Sequence, residues 1–226
     1  MMPKANHPMA DRSHISRRRA LGMIVGVCGM LLAPASLTWS AAQAQGAAAQ
    51  RIADHFSSVR TMTGEFVQFG PSGEQTGGKF FIERPGKLRF NYEAPSKFRV
   101  VSDGKSVVLF NGKLNTADLY SLSSTPLKLL LDERIDLSGE RVKSIQEDPD
   151  LTTLKLEDKS VFGDATITMM FDPESYELRQ WTITDAQGKD TTVMIFNVQQ
   201  GVTFDPSVFK IDYNRVNEMN ARSRGG

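Results

Sequence analysis

Few side chains in this sequence have the type and spacing for chemistry. His55 is the one histidine beyond residue 44, with Asp54 beside it. Helical neighbours at i and i+1 do not face each other, so the two do not make a proton-transfer dyad, and a surface histidine is expected. Asp148 and Asp150 flank Pro149. Paired carboxylates can do acid–base work or bind a cation, but no further carboxylate follows at calcium-loop spacing, so a solvated acidic turn is expected. The sequence has no nucleophile elbow, no phosphate-cradling glycine loop and no histidine-rich metal motif. No catalytic residue, metal ligand or cofactor is therefore assigned. A near-empty catalytic inventory favours a binding protein over an enzyme.

One cation stands out. In the stretch 77–84, alternation puts Phe80, Ile82 and Arg84 on one face and Phe81 and Glu83 on the other. If the apolar face looks inward, Arg84 sits at the rim of an apolar interior, just before Pro85-Gly86. A guanidinium carries five donors and keeps its charge, so it requires acceptors there, such as backbone carbonyls of a nearby loop or helix end. The alternative is that Arg84 extends along the rim to water. The residue pattern leaves both open.

The elements that would position Arg84 are mostly strands. A helix is predicted over 47–59, with Ile52, Phe56 and Val59 on one face. Strands are predicted over 61–69, 77–84, 88–93, 98–102, 106–111, 113–120, 140–146, 151–157, 165–171, 176–184 and 190–198. Pro85-Gly86, Asp103-Gly104, Asn111-Gly112 and Gln187-Gly188 supply turns. About eleven short strands joined this way form a meandering antiparallel sheet that should curl toward a barrel or a strongly bent sheet. Between them, Pro126 opens a short helix carrying Leu127, Leu129, Leu130 and Leu131. Leucines around most of its circumference mark it as buried, either as a plug in an ordinary core or as a cover over something apolar.

The first 44 residues read as a secretory signal peptide. Arg17-Arg18-Arg19, an apolar run from Ala20 to Ala35 and the small-residue site Ala42-Gln43-Ala44 follow in the required order. The apolar run falls short of the roughly 20 residues a spanning helix needs. Ser16 to Leu21 resembles the twin-arginine export motif, with general secretion the alternative. Cleavage after Ala44 leaves 182 of the 226 residues, enough for one domain with a real core. That portion has 22 basic and 25 acidic residues, no cysteine and all 13 phenylalanines. A near-balanced charge gives no electrostatic footprint for nucleic acid, and the aromatic content needs an interior to fill.

Several segments resemble one family. Phe66-Val67-Gln68, Gly78 to Tyr92, Pro95, Val100 to Lys105, Thr125-Pro126-Leu127 and Phe204 to Phe209 are similar to the LolA family of periplasmic outer-membrane lipoprotein carriers. The resemblance spans roughly residues 47–212. It implies a mainly β fold with short α segments: an unclosed antiparallel β-barrel lidded by helices around a hydrophobic cavity. The expected domains are a signal peptide (1–44), a carrier domain (45–213) and a polar C-terminal tail (214–226). The resemblance gives Arg84 the role of holding the lid shut when the cavity is empty. Leu127, Leu129, Leu130 and Leu131 become lid residues. Alternation and the resemblance together give Phe66, Phe80, Ile82, Phe90 and Tyr92 as the acyl-chain cavity. Phe90 departs from the family pattern, where tryptophan is common. The implied partners are acylated lipoproteins and an inner-membrane lipoprotein-releasing ABC transporter, with or without a dedicated outer-membrane acceptor, and the carrier itself is expected to be a periplasmic monomer. A lipid or lipoprotein sensor on the same half-barrel is the rival reading, and an enzyme on that fold a weaker one.

Overall fold

A computed structural model describes residues 38–135, 141–157, 159 and 163–224. The basic and apolar parts of the expected signal peptide, with the twin-arginine-like segment, lie outside these residues. Helix α1 runs Thr38–Ser58, so it already contains Ala42-Gln43-Ala44. Among the described side chains its inward face is Ala49, Ile52, Ala53 and Phe56, all buried at helical spacing and all beyond Ala44. Val59, expected on that face, follows the helix and is half-buried.

Eleven strands follow: β1 (Thr61–Phe69), β2 (Gln75–Glu83), β3 (Lys87–Tyr92), β4 (Phe98–Asp103), β5 (Ser106–Asn111), β6 (Thr116–Ser121), β7 (Val142–Glu147), β8 (Thr152–Glu157), β9 (Thr166–Phe171), β10 (Leu178–Thr184) and β11 (Asp190–Gln200). A 3₁₀ turn over Leu122–Ser124 and helix α2, Leu127–Leu131, separate β6 from β7. The strands form one sheet in the order β6-β5-β4-β3-β2-β1-β11-β10-β9-β8-β7. Every neighbouring pair is antiparallel. Two hairpin meanders are thus joined by the β1–β11 pair, and among the described residues no ladder joins β6 to β7. The barrel is unclosed.

Turn chemistry sets the strand ends. Asp103 Oδ1 accepts from Lys105 N and Ser106 N, and Gly104 takes φ +99°, giving the tight β4–β5 hairpin. The β5–β6 turn is longer than the two-residue turn expected from Asn111-Gly112. Asn111 Oδ1 caps Lys113 N and Leu114 N, and Asn115 takes φ +55°, so β6 begins at Thr116 rather than at 113.

The inner face of the sheet and the helices α1 and α2 enclose the main core. Gly64 and Gly78 let the large rings lie flat across it. A Cβ on Gly64 would stand 2.9 Å from Phe80 Cε1, and one on Gly78 3.0 Å from Phe66 Cε1.

A second core lies on the outer face. Val101, Val108, Phe110 and Ala117 pack there against Ile211, Val216 and Met219. The pairs Val100-Val101 and Val107-Val108 are apolar on both sides because this end of the sheet is covered on both sides. The covering element corrects the expected polar tail. Residues Tyr213–Arg224 form helix α3, whose Val216 and Met219 are buried. Low apolar content hid it, since a stripe of two residues is enough to dock a helix of this length. Tyr213 Oη donates to Asp103 Oδ2 at 2.7 Å and pins its start to the β4–β5 turn.

Candidate functional site

Arg84 follows β2 and is 4% exposed, so it does not extend to water. Nη1 donates to Val59 O at 2.6 Å and Nη2 to Leu130 O at 3.0 Å. The guanidinium lies 4.2 Å from the centre of the Phe56 ring. Nε is buried without a partner among the described residues. Burial pulls the guanidinium down to about 10, which still leaves it charged at neutral pH.

The turn after Arg84 holds the same helix end. Gly86 N donates to Leu131 O at 2.8 Å, while Ser102 Oγ donates to Gly86 O at 2.7 Å. The last carbonyls of a helix have no partner within it. Here Arg84 and Gly86 satisfy two successive ones, Leu130 and Leu131. Gly86 takes φ +79°, and a Cβ there would meet Gly104 Cα at 2.7 Å, so glycine is required for this approach.

The segment that follows α2 is tied to α1 as well. Ile135 N donates to Ser57 Oγ at 3.0 Å, Ser57 Oγ donates to Ala53 O at 2.6 Å, and Gln50 Nε2 donates to Ile135 O at 3.2 Å. Leu129, Leu130, Leu131 and Ile135 are all buried. Sequence patterning missed Ser57, Gly86, Ser102 and Ile135. A buried serine facing a distant amide has no local signal, although Pro85-Gly86 did mark a turn.

Leu127, at the other end of α2, is half-buried and reaches an apolar cavity of about 350 Å³. Phe90, Tyr92, Phe98, Val100 and Leu109 form one wall, and Trp181, Ile183 and Val193 the other. Gln68 and Thr191 are its polar members. This is a small ligand pocket by volume. Gln68, Tyr92, Phe98, Ile183 and Thr191 sit toward the strand ends that carry turns 70–74, 93–97 and 185–189. Arg84 lies at the opposite end of β2.

Of the five expected cavity residues, the structure brings Phe90 and Tyr92 to the cavity. Phe66, Phe80 and Ile82 are instead packed in the core, at most 4% exposed. They are continuous with it through edge-to-face ring contacts. Phe66 meets Phe90 at 4.6 Å and Tyr92 at 5.0 Å, and Phe90 meets Trp181 at 6.2 Å. Tyr92 Oη donates to Gln68 Oε1 at 2.6 Å, and burial pushes its phenol up to about 12. Trp181, Ile183 and Val193 were within reach of strand alternation, but nothing in the sequence said which strands face each other across the interior.

The groups weighed for catalysis face solvent. His55, Asp148 and Asp150 are exposed. Among the described residues no cluster of three or more His, Cys, Asp or Glu side chains can hold a metal ion. Among the same residues no helix is long and apolar enough to cross a membrane.

A half-barrel of eleven antiparallel strands, covered by two helices and lining an apolar cavity that opens to solvent, defines a class of binding scaffold. The sequence pattern of the family described as "Outer membrane lipoprotein carrier protein LolA" matches residues 57–212, and the chain belongs to this family. An outer-membrane lipoprotein carrier protein of Methylococcus capsulatus is 27% identical over 184 residues, covering 77% of this chain and 88% of that one. One from Pseudomonas putida is 29% identical over 206 residues, covering 86% and 95%. Among solved structures, a LolA superfamily protein from Nitrosomonas europaea is similar over 73% of this chain and 98% of its own, at 10% identity and a TM-score of 0.41.

Proposed function

We propose that this protein is a periplasmic carrier that takes the acyl chains of lipoproteins into its cavity and moves them from the inner to the outer membrane. The observation that carries the reading is the apolar cavity under Leu127, continuous with a core of large rings and covered by a helix whose far end is held by Arg84 and Gly86. Family membership supports it, and the relatives named above are lipoprotein carriers.

No covalent step is needed. Shielding a methylene from water contributes about 0.8 kcal/mol, so even one long acyl chain brings a large gross driving force. For onward transfer, opening the cover must offset part of it. The resting cavity of about 350 Å³ is at the low end for a ligand pocket, so loading moves α1 and α2 and exposes Phe66, Phe80 and Ile82 to the cargo. The closed and open states then differ in cargo affinity, and that difference is the mechanism. An inner-membrane ABC transporter supplies the cargo, and an outer-membrane acceptor receives it. Native mass spectrometry of the protein recovered from the periplasm tests this reading against an enzyme on the same fold. Bound acylated protein is expected, and a small-molecule reaction product in its place would overturn it.

A further inference from the structure

On the outer face of β4, behind the apolar cavity, lies a second depression of about 330 Å³. Its charged lining is Lys97, Arg99 and Arg215, and no carboxylate lines it. Arg99 stacks on Phe110, 4.7 Å from the ring centre, and its Nε is buried with no hydrogen-bond partner among the described residues. Burial, and then the positive charges of Arg89 and Arg215, pull the Arg99 guanidinium below its ordinary value. Arg89 is itself engaged, donating to Asn91 Oδ1 and Val208 O. None of the side chains of Lys97, Arg99 and Arg215 forms an ion pair with a carboxylate among the described residues. The chain as a whole is close to neutral, so this concentration of cations is local. Stacked and fixed, Arg99 presents a fork suited to an oxyanion.

We propose that Lys97, Arg99 and Arg215 form a binding site for the phosphate of an anionic phospholipid headgroup. Tyr92 and Phe98 line both this depression and the apolar cavity, so the two share a wall. A molecule that joins a phosphate to acyl chains, lying in a membrane surface, matches that layout. Binding there brings the cavity end that carries turn 93–97 to the bilayer. The choice of a lipid phosphate rests on reading the cavity as an acyl-chain site, whereas the unpaired cations stand without it.

The test is flotation of the exported protein with vesicles of phosphatidylcholine, with and without phosphatidylglycerol, alongside binding of an apolar dye. Arg215→Gln, exposed on α3, is the main variant, and Arg99→Gln the second. Wild type is expected to float with phosphatidylglycerol vesicles and not with pure phosphatidylcholine. Each variant is expected to lose roughly fivefold or more in binding, near what one basic residue contributes at an anionic surface. Dye binding should not change. Equal flotation of wild type and Arg215→Gln would overturn the proposal. So would stabilisation by inorganic phosphate with no vesicle binding, which would identify a free-phosphate site. Arginine-dependent flotation without dye binding would refute the acyl cavity and leave the phosphate site standing.

Discussion

Arg84 Nη2 donates to Leu130 O across 46 positions of sequence, in a setting with almost no solvent access. The bond joins the end of β2 to the C-terminus of the covering helix. Hydrogen bonds from a charged donor contribute about 1.5–3 kcal/mol each, but burying the charge opposes them, as the lowered Arg84 pKa records. The net effect on stability is therefore smaller than the bonds alone would give, and on the carrier reading these bonds bias the balance between closed and open states.

Arg84→Leu should accordingly leave the melting temperature within a few degrees of wild type while weakening closure. Relief of the buried charge offsets part of the cost of leaving Val59 O and Leu130 O without their donor. Linkage then requires tighter retention of cargo, because the ligand no longer works against those bonds. Uptake should persist and onward transfer should fall. Arg84→Lys should lie between, since it keeps the charge and loses the fork. Equal transfer by Arg84→Leu and wild type would reduce Arg84 to a structural residue.

The two ends of α2 should respond differently. Leu127 is half-buried and lines the cavity, so Leu127→Asp should abolish apolar dye binding at small cost in stability. Leu131 is fully buried, and Leu131→Ala should cost about 2–5 kcal/mol, as for other buried leucines. Hydrogen exchange in the segment 127–135 should proceed by local opening below the global unfolding free energy. Exchange there by global unfolding alone would make α2 a plug in an ordinary core.

Tyr92 gives an alkaline signature. Its folded pKa, about 12, lies above the ordinary phenol value, so the neutral form is favoured in the fold. That stabilisation is fully present below about pH 10 and is lost as pH rises from about 10 toward 12, because the unfolded phenol ionises first. Tyr92→Phe should flatten this limb of the stability curve in denaturant titrations. An unchanged limb would place the alkaline loss elsewhere.

Export should cut the chain after Ala44. Among the described side chains of α1, the buried Ala49, Ile52, Ala53 and Phe56 all lie beyond Ala44, so the shortened helix keeps them. Mass analysis of the exported protein should find Gln45 at its N-terminus, and an intact chain held in the membrane would contradict the carrier reading.

The strands were legible because alternation and turn residues are local signals. Asp103-Gly104 and Pro85-Gly86 mark turns wherever they occur. The inward side of β2 was legible for the same reason, which is how Arg84 came to notice. That its acceptors would be backbone carbonyls of a loop or helix end followed from the guanidinium's needs, but which ones did not, because carbonyls 25 and 46 residues away leave no trace in residue type. The cavity was half legible. Phe90 and Tyr92 share an inward face with Phe66 and Phe80, and whether a ring lines space or fills it depends on the opposite strands and on Gly64 and Gly78. Helix α3 was missed because polar residues dominate it and two buried side chains dock it.

The most direct test of the carrier account is a release assay with inner-membrane vesicles bearing labelled acylated lipoprotein. Added carrier should bring the lipoprotein into solution as a complex, and Leu127→Asp should release none. An unacylated form of the same lipoprotein should show no association with the carrier. Release of acylated cargo at the same level by Leu127→Asp and wild type, or equal binding of the unacylated form, would contradict an acyl-chain site in the cavity under Leu127.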